Sequence, residues 1–358
     1  MPFLKQIKWI YYLLIGFPLA VLGSLLHWSA LLNFVLACVG LIPLAELLGE
    51  ATEALAVVTG SKIGGLLNAT LGNAAELIIT ITAIRAGLFE LVKASITGSI
   101  IGNLLLVLGA SVLFGGLKHG TQRFSRQQAA TNATMLVLAI VALSVPSLFN
   151  HTPEGEALGA RPMEYISLGV AGVMIVLYAL SLIYSLRVSD KESPLTHADE
   201  AAAPRWSPRT AVIVLSAATA AVVWLSEILV HSVEGVTASL GLSEFFLGII
   251  LIPIIGNVAE HLVAVEVALK NKMALSLEIA LGSSLQIALF VAPVLVFVSL
   301  AFGQYLNLVF NQFELLAMIA AVLVAALVAS DGETNWLEGA QLLGVYLILG
   351  VAFFFLPA

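Results

Sequence analysis

Residues 72–76 read GNAAE, and residues 256–260 read GNVAE. The same offset (256 − 72 = 184) sets Gly64 on Gly248 and Leu67 on Leu251. One helix further along it sets Gly98-Ser99 on Gly282-Ser283. A single five-residue match in an apolar chain is within chance. A match that holds over two helices without a gap marks an internal repeat.

The surroundings of the two motifs decide the solvent. Of the 358 residues, 60% are hydrophobic and only 10% charged, and the mean hydropathy is +1.05. A soluble domain carries about 25% charged residues, so lipid covers most of this chain's outside. The net charge of −7, with no run of Lys or Arg, gives no nucleic-acid signal. The single cysteine, Cys38, excludes an intramolecular disulfide and argues against a Cys/His metal cluster.

A bilayer core takes about 20 apolar residues per helix. Eleven such segments are legible, at about 9–26, 30–58, 64–85, 92–115, 128–148, 163–186, 210–231, 245–269, 274–300, 312–330 and 336–357. The first follows Lys5 and Lys8 but lacks a small-residue cleavage site, and reads as a retained helix. The second is long enough to be tilted or broken. Residues 187–209, polar and mixed in charge, read as a linker between two halves.

Positive charges give the orientation. With the N-terminus cytoplasmic, the inside segments hold Lys5, Lys8, Lys62, Lys118, Arg123, Arg126, Arg187, Lys191, Arg205, Arg209, Lys270 and Lys272; the outside ones hold only Arg85, Lys93 and Arg161. The third segment then runs outward and the eighth inward, so the two copies of the repeat cross in opposite directions. The expected fold is an all-α integral membrane protein of about 11 transmembrane helices. An extra N-terminal helix (1–28) precedes a first five-helix repeat (29–186), a cytoplasmic linker (187–209) and an inverted second repeat (210–358). The C-terminus lies outside.

Glu76 and Glu260 fall near mid-membrane in this scheme. An ionised carboxylate there costs roughly 2.5–3.5 kcal/mol on insertion scales. No Lys or Arg lies deep in a span to neutralise it, which leaves protons and metal cations. Gly72-Asn73 and Gly256-Asn257 stand just before the glutamates. Both residue types are poor in helix interiors and tolerate left-handed backbone. A break there frees carbonyls, which persist in a membrane only where they line a cavity, and Pro253 weakens the eighth span at a similar depth. Ser99, Asn103, Ser283 and Gln286 add polar groups at matching depth, although the serines can equally bond their own backbone. Carboxylates, amides and carbonyls form an all-oxygen set that suits a hard divalent ion such as Ca²⁺; soft ligands are missing. Burial without the cation favours the protonated carboxylate. Protons and a divalent ion then compete for the same oxygens.

A second acidic set lies off-centre: Glu46, Glu50 and Glu53 on the second span, Glu227 on the seventh. Glu53 and Glu227, with Glu50, are candidate gate or access groups; Glu46 and Glu50 also fit an interfacial role. Glu266 and Glu278 read as solvated near the inside surface, as do the loop acids Asp190, Glu192, Asp199 and Glu200. His261, beside Glu260, is a candidate relay, although neighbouring helix positions point about 100° apart.

Several stretches resemble the calcium/proton exchanger (CAX) branch of the calcium/cation antiporter superfamily. In the first half they are ATEALA (51–56), GGLLNATLGNAAELII (64–79) and TGSIIGNLLLVLG (97–109). In the second they are SEILVH (226–231), GNVAEH (256–261) and GSSLQIALFVAPVLV (282–296). The resemblance implies Ca²⁺ and H⁺ as substrates, alternating access at Glu76 and Glu260, access roles for Glu53 and Glu227, and no cofactor. The lack of long tails suggests a prokaryotic plasma membrane; relatives by resemblance include homo-oligomers, a state no packing motif here decides. The alternatives are Na⁺/Ca²⁺ or Mn²⁺/H⁺ exchange on the same fold, or a cation channel. No HExxH, GxGD or Asp-rich diphosphate motif supports a membrane enzyme.

Overall fold

The computed structural model describes residues 9–153, 155, 160–192 and 206–356. Apart from one two-residue strand pair, the described regular structure is helical. The helices are α1 (Trp9–Leu25), α2 (Ala30–Leu71), α3 (Ala74–Arg85), α4 (Phe89–His119), α5 (Arg126–Asn150) and α6 (Ala160–Glu192), then α7 (Pro208–Leu240), α8 (Glu244–Gly256), α9 (Val258–Leu269), α10 (Met273–Ala301), α11 (Gln312–Val328) and α12 (Trp336–Phe355). Each of the eleven apolar segments has its helical counterpart. The second and third share α2, which breaks at Gly60 (φ 83°, ψ 167°), a conformation that favours a residue without Cβ.

Two expectations need correction. Residues 187–192, read as linker, continue helix α6 to Glu192. Lys5, Lys8, Asp199, Glu200 and most of the linker lie outside the described residues. The helix also stops at Gly72–Asn73 and turns by 61° at Asn257, between α8 and α9, without any left-handed residue. Gly72 keeps right-handed angles (φ −54°, ψ −42°) and Asn257 sits at φ −111°, ψ 9°. At Asn257 both angles leave the helical range while φ stays negative, so the tolerance of Gly and Asn for positive φ is not used here.

The chain forms two compact units, residues 1–82 with 177–241 and residues 83–176 with 242–358. Neither unit is a sequence repeat; each takes helices from both. In the first unit, α2 lies along α7, and α1 packs on α2. The α1–α2 crossing is backbone to backbone: a Cβ on Gly16 would stand 2.7 Å from the Gly40 nitrogen. Small residues permit such approaches in membrane helices.

In the second unit, α4 and α10 each contain a π-helical stretch, Gly102–Val107 and Ile287–Val291. The two match under the repeat offset (107 + 184 = 291). A third π stretch, Leu247–Leu251 in α8, has no counterpart at 63–67, which is α-helical. Pro253 gives the reason: it has no N–H to donate to the Ile249 carbonyl, and the repeat-related residue is Ala69. That carbonyl faces Gly98 of α4, where an added Cβ would lie 2.1 Å from it.

Two knots fix opposite ends of this unit. At one end β1 (Gln122–Arg123) pairs antiparallel with β2 (Glu333–Thr334), Gln122 opposite Thr334. Gln122 also donates to Ala268 O and Asn271 Oδ1, both at 3.0 Å, and Lys118 Nζ donates to Leu269 O at 2.9 Å. At the other end the segment following α10 is held by Ser147 and Ser167, whose hydroxyls accept from Phe310 N and Leu308 N, and by Lys93, which donates to Val309 O.

Glu314, the third residue of α11, is fully buried. Its Oε2 accepts from Asn311 N at 2.8 Å, closing a capping box, while Oε1 accepts from Thr97 of α4 at 3.2 Å. Replacing Glu314 with alanine orphans both donors and costs about 1–3 kcal/mol. Glutamine keeps one carboxamide oxygen and loses less. Melting of the two purified variants in detergent checks this, with alanine expected several degrees below glutamine.

Candidate functional site

The spacing Asn-x-x-Glu occurs four times, at Asn73–Glu76, Asn257–Glu260, Asn311–Glu314 and Asn335–Glu338. Ordinarily it is a helix N-terminal capping box, in which each side chain satisfies the other's backbone N–H. The last two instances close in that way. At Asn257 the side chain makes no cap bond, so Glu260 is left for something else.

Backbone geometry is nonetheless alike at both motifs. Asn73 O accepts from Leu77 N at 3.0 Å, and Asn257 O from His261 N at 2.9 Å. Each glutamate is thus the third residue of a new helix, Glu76 in α3 and Glu260 in α9. The positive end of a helix dipole stabilises a carboxylate there, by about 0.3–1 kcal/mol at exposed sites and up to ~2 kcal/mol when part-buried. That offsets part of the desolvation cost, for which the sequence offers no Lys or Arg.

Around Glu260 the second unit supplies a chain of donors. Asn103 Nδ2 donates to Ser283 Oγ at 3.0 Å, and Ser283 hydrogen-bonds the Glu260 carboxyl. Because the Asn103 amide fills a lone pair of the Ser283 oxygen, the hydroxyl hydrogen is turned toward Glu260. Glu260 Oε2 has no partner among the described residues, and neither has His261 Nε2. An unpartnered buried carboxylate oxygen costs about 1–3 kcal/mol or more, which a proton or cation recovers. Asn103 lies within the π stretch of α4 and Gln286 directly before that of α10. The wider turn re-aims side chains on either side of it, and such stretches gather at functional sites. Sequence reading missed them because an apolar π turn has no composition signal. Ser99 is also buried, and Gln286 and Gly256 are half-buried.

In the first unit Glu76 and Asn73 are both buried, with Gly72 half-buried. Glu46 is buried, Glu50 and Glu227 are half-buried, and Glu53 is exposed. α2 leaves its packing as it nears the Gly60 break, where Val57 and Val58 are also exposed, so burial fades from Glu46 to Glu53. Glu266 is exposed and paired with Lys270 at 2.6 Å, in line with a solvated reading. Glu278 is half-buried and lines a water-sized cleft with Ser125, Gln128 and Asn132.

The sequence matches the family described as sodium/calcium exchanger protein over residues 29–187 and 210–355. It is 45% identical over 359 residues to a Ca(2+)/H(+) antiporter of Aphanothece halophytica, covering 96% of each chain. It is 45% identical over 345 residues to the Ca(2+)/H(+) antiporter ChaA of Bacillus subtilis, covering 95% of this chain and 97% of that one. Native YfkE, a solved structure, superposes with a TM-score of 0.85 at 43% identity over 98% of this chain and 100% of that one. The H+/Ca2+ exchanger CAX shares the fold, with a TM-score of 0.74 at 14% identity over 96% and 91% of the two chains.

Proposed function

The chain belongs to the sodium/calcium exchanger protein family, and from that premise we propose that it is a secondary active transporter, not an enzyme, exchanging Ca²⁺ for H⁺ across a membrane. Near-complete similarity to Ca²⁺/H⁺ antiporters supports the ion pair. The observation that carries the site is Glu260, held by Ser283 with one carboxylate oxygen unpartnered, in an Asn-x-x-Glu that does not close as a cap. Glu76 stands at the repeat-related position, third in its helix and buried.

In this reading Glu76 and Glu260 are the ion-carrying carboxylates. Two negative charges balance one divalent cation. When Ca²⁺ leaves, a proton on each carboxyl restores the charge balance, so at least two protons move per calcium. Ser283, oriented by Asn103, donates to the charged form of Glu260 and thereby favours cation binding. The site alternates between the two sides of the membrane, and the proton gradient selects the side on which Ca²⁺ is released. Glu50, Glu53 and Glu227 serve the access routes, and Gly72, Asn73, Gly256, Asn257, Ser99 and Gln286 complete the polar lining.

We place the N-terminus in the cytoplasm and the C-terminus outside, in a plasma membrane. Support comes from the positive charges and from the strand knot of the second unit, which gathers Lys118, Arg123, Lys270 and Lys272 at one end.

Calcium uptake into proteoliposomes with an acidic interior and no sodium tests this. Uptake that collapses with a protonophore is expected. Uptake only when sodium replaces the proton gradient would move the chain to sodium coupling. Within the site, Ser283→Ala should raise the calcium concentration for half-maximal uptake roughly tenfold, since a hydrogen bond to a charged group is worth about 1.5–3 kcal/mol. An unchanged calcium dependence would remove Ser283 from the site.

A further inference from the structure

The first unit contains a cavity of about 440 Å³, walled by the turn between α1 and α2 and by one face of α7. It is polar on both walls. Ser24, His27 and Asn33 lie on one side; Glu227, His231 and Ser232 lie on the other. The α7 contributors, with Trp224 and Ile228, fall at the i, i+3, i+4, i+7, i+8 spacing of a single helix face.

Both imidazoles have a defined tautomer. His231 Nδ1 lies 2.8 Å from the Glu227 carbonyl oxygen, and His27 Nδ1 lies 3.1 Å from the Leu25 carbonyl oxygen. A carbonyl can only accept, so Nδ1 carries the hydrogen in each ring and Nε2 is the basic atom. Two bases in one cavity are therefore set to take a proton at the same nitrogen. His231 stands one turn beyond Glu227 on the same helix face, a spacing at which side chains meet. Asn33, 8% exposed, donates to Trp28 O at 3.3 Å and leaves its Oδ1 without a partner among the described residues. That acceptor adds a further polar step in the wall. Among the cavity-lining residues Glu227 is the sole carboxylate, and no Lys, Arg or Asp takes part. Glu234, three residues past His231, is exposed. No three acid, imidazole or thiol groups among the described residues converge as a metal site.

We propose that His27 and His231 are the proton-collecting bases of this cavity, accepting protons from water at Nε2 and passing them to Glu227. The transfer balances: each imidazole becomes imidazolium on uptake, then returns to neutral as the Glu227 carboxylate becomes a carboxylic acid. The proposal rests on the proton-coupled reading above and adds to it the groups that gather protons on the side where α1 turns into α2.

Initial rates of calcium transport in vesicles of one protein orientation, with pH varied on one side at a time, test it. The double variant His27→Gln, His231→Gln removes both imidazoles and retains polar side chains. Half-maximal activation by protons on the side of the α1–α2 turn should then need roughly tenfold more protons. The rate at saturating protons and the profile on the other side should not change. His27→Gln alone lies on a turn outside the helices and should give a partial shift. Curves that superimpose on those of the unaltered protein, or a rate lowered equally at every pH, overturn the proposal. Absence of proton-coupled calcium transport in the unaltered protein overturns the exchange reading instead.

Discussion

Glu260→Gln and Glu76→Gln should each abolish proton-driven calcium uptake while leaving the protein inserted and monodisperse in detergent. Glutamine matches the volume of glutamate and can still accept from Ser283, so packing around α9 survives. What it removes is the charge that balances the cation and the group that takes its proton. Removing one partner from a buried charge pair costs about 3–5 kcal/mol, or roughly 10²–10⁴-fold in affinity. Uptake should therefore fall to background at micromolar calcium. Aspartate tests the same site differently: it retains charge and titration but is one methylene shorter, so Glu260→Asp should keep part of the exchange at raised calcium. Glutamine variants that exchange at the normal rate would rule these carboxylates out as the ion carriers.

Gly98→Ala should fail at an earlier step. Its Cβ would sit 2.1 Å from the Ile249 carbonyl oxygen and 2.7 Å from Pro253 Cγ. Neither can retreat cheaply, because the first is backbone within a π turn and the second a ring that fixes that turn. Overpacking of this kind costs about 1–3 kcal/mol or more. Gly248 makes the matching approach from α8, where a Cβ would lie 2.8 Å from Leu91 O. Gly282, which repeats Gly98 in sequence, has nothing within 4 Å of an added Cβ among the described residues. Alanine there should melt near the parent temperature, whereas Gly98→Ala should lower the midpoint by several degrees or prevent accumulation in the membrane. Equal melting of the two variants would show that the α4–α8 seam relaxes freely. The contrast needs no transport assay, which separates it from the site predictions.

The sequence by itself determined the class of the protein, the number of apolar segments and the inverted repeat. Those features are written in local composition and in a constant offset, and a chain surrounded by lipid has few options besides helices. It also singled out Glu76 and Glu260, because a carboxylate deep in an apolar span without a nearby cation stands out in one dimension. Only the tertiary structure decided which Asn-x-x-Glu motifs are caps. The four share a spacing, and what separates Glu314 from Glu260 is the group lying across the helix: Asn311 N–H and Thr97 at one, Ser283 backed by Asn103 at the other. The fall in burial from Glu46 to Glu53 has the same origin, since burial depends on where α2 leaves its neighbours and not on residue type. The π turns, and the loss of one from the first repeat through Ala69 in place of Pro253, likewise depend on which carbonyl must be satisfied by what packs against it. Periodicity and offset are properties of the chain, while hydrogen-bond closure and burial belong to pairs of helices, and the pairing follows the two compact units, not the order of the repeats.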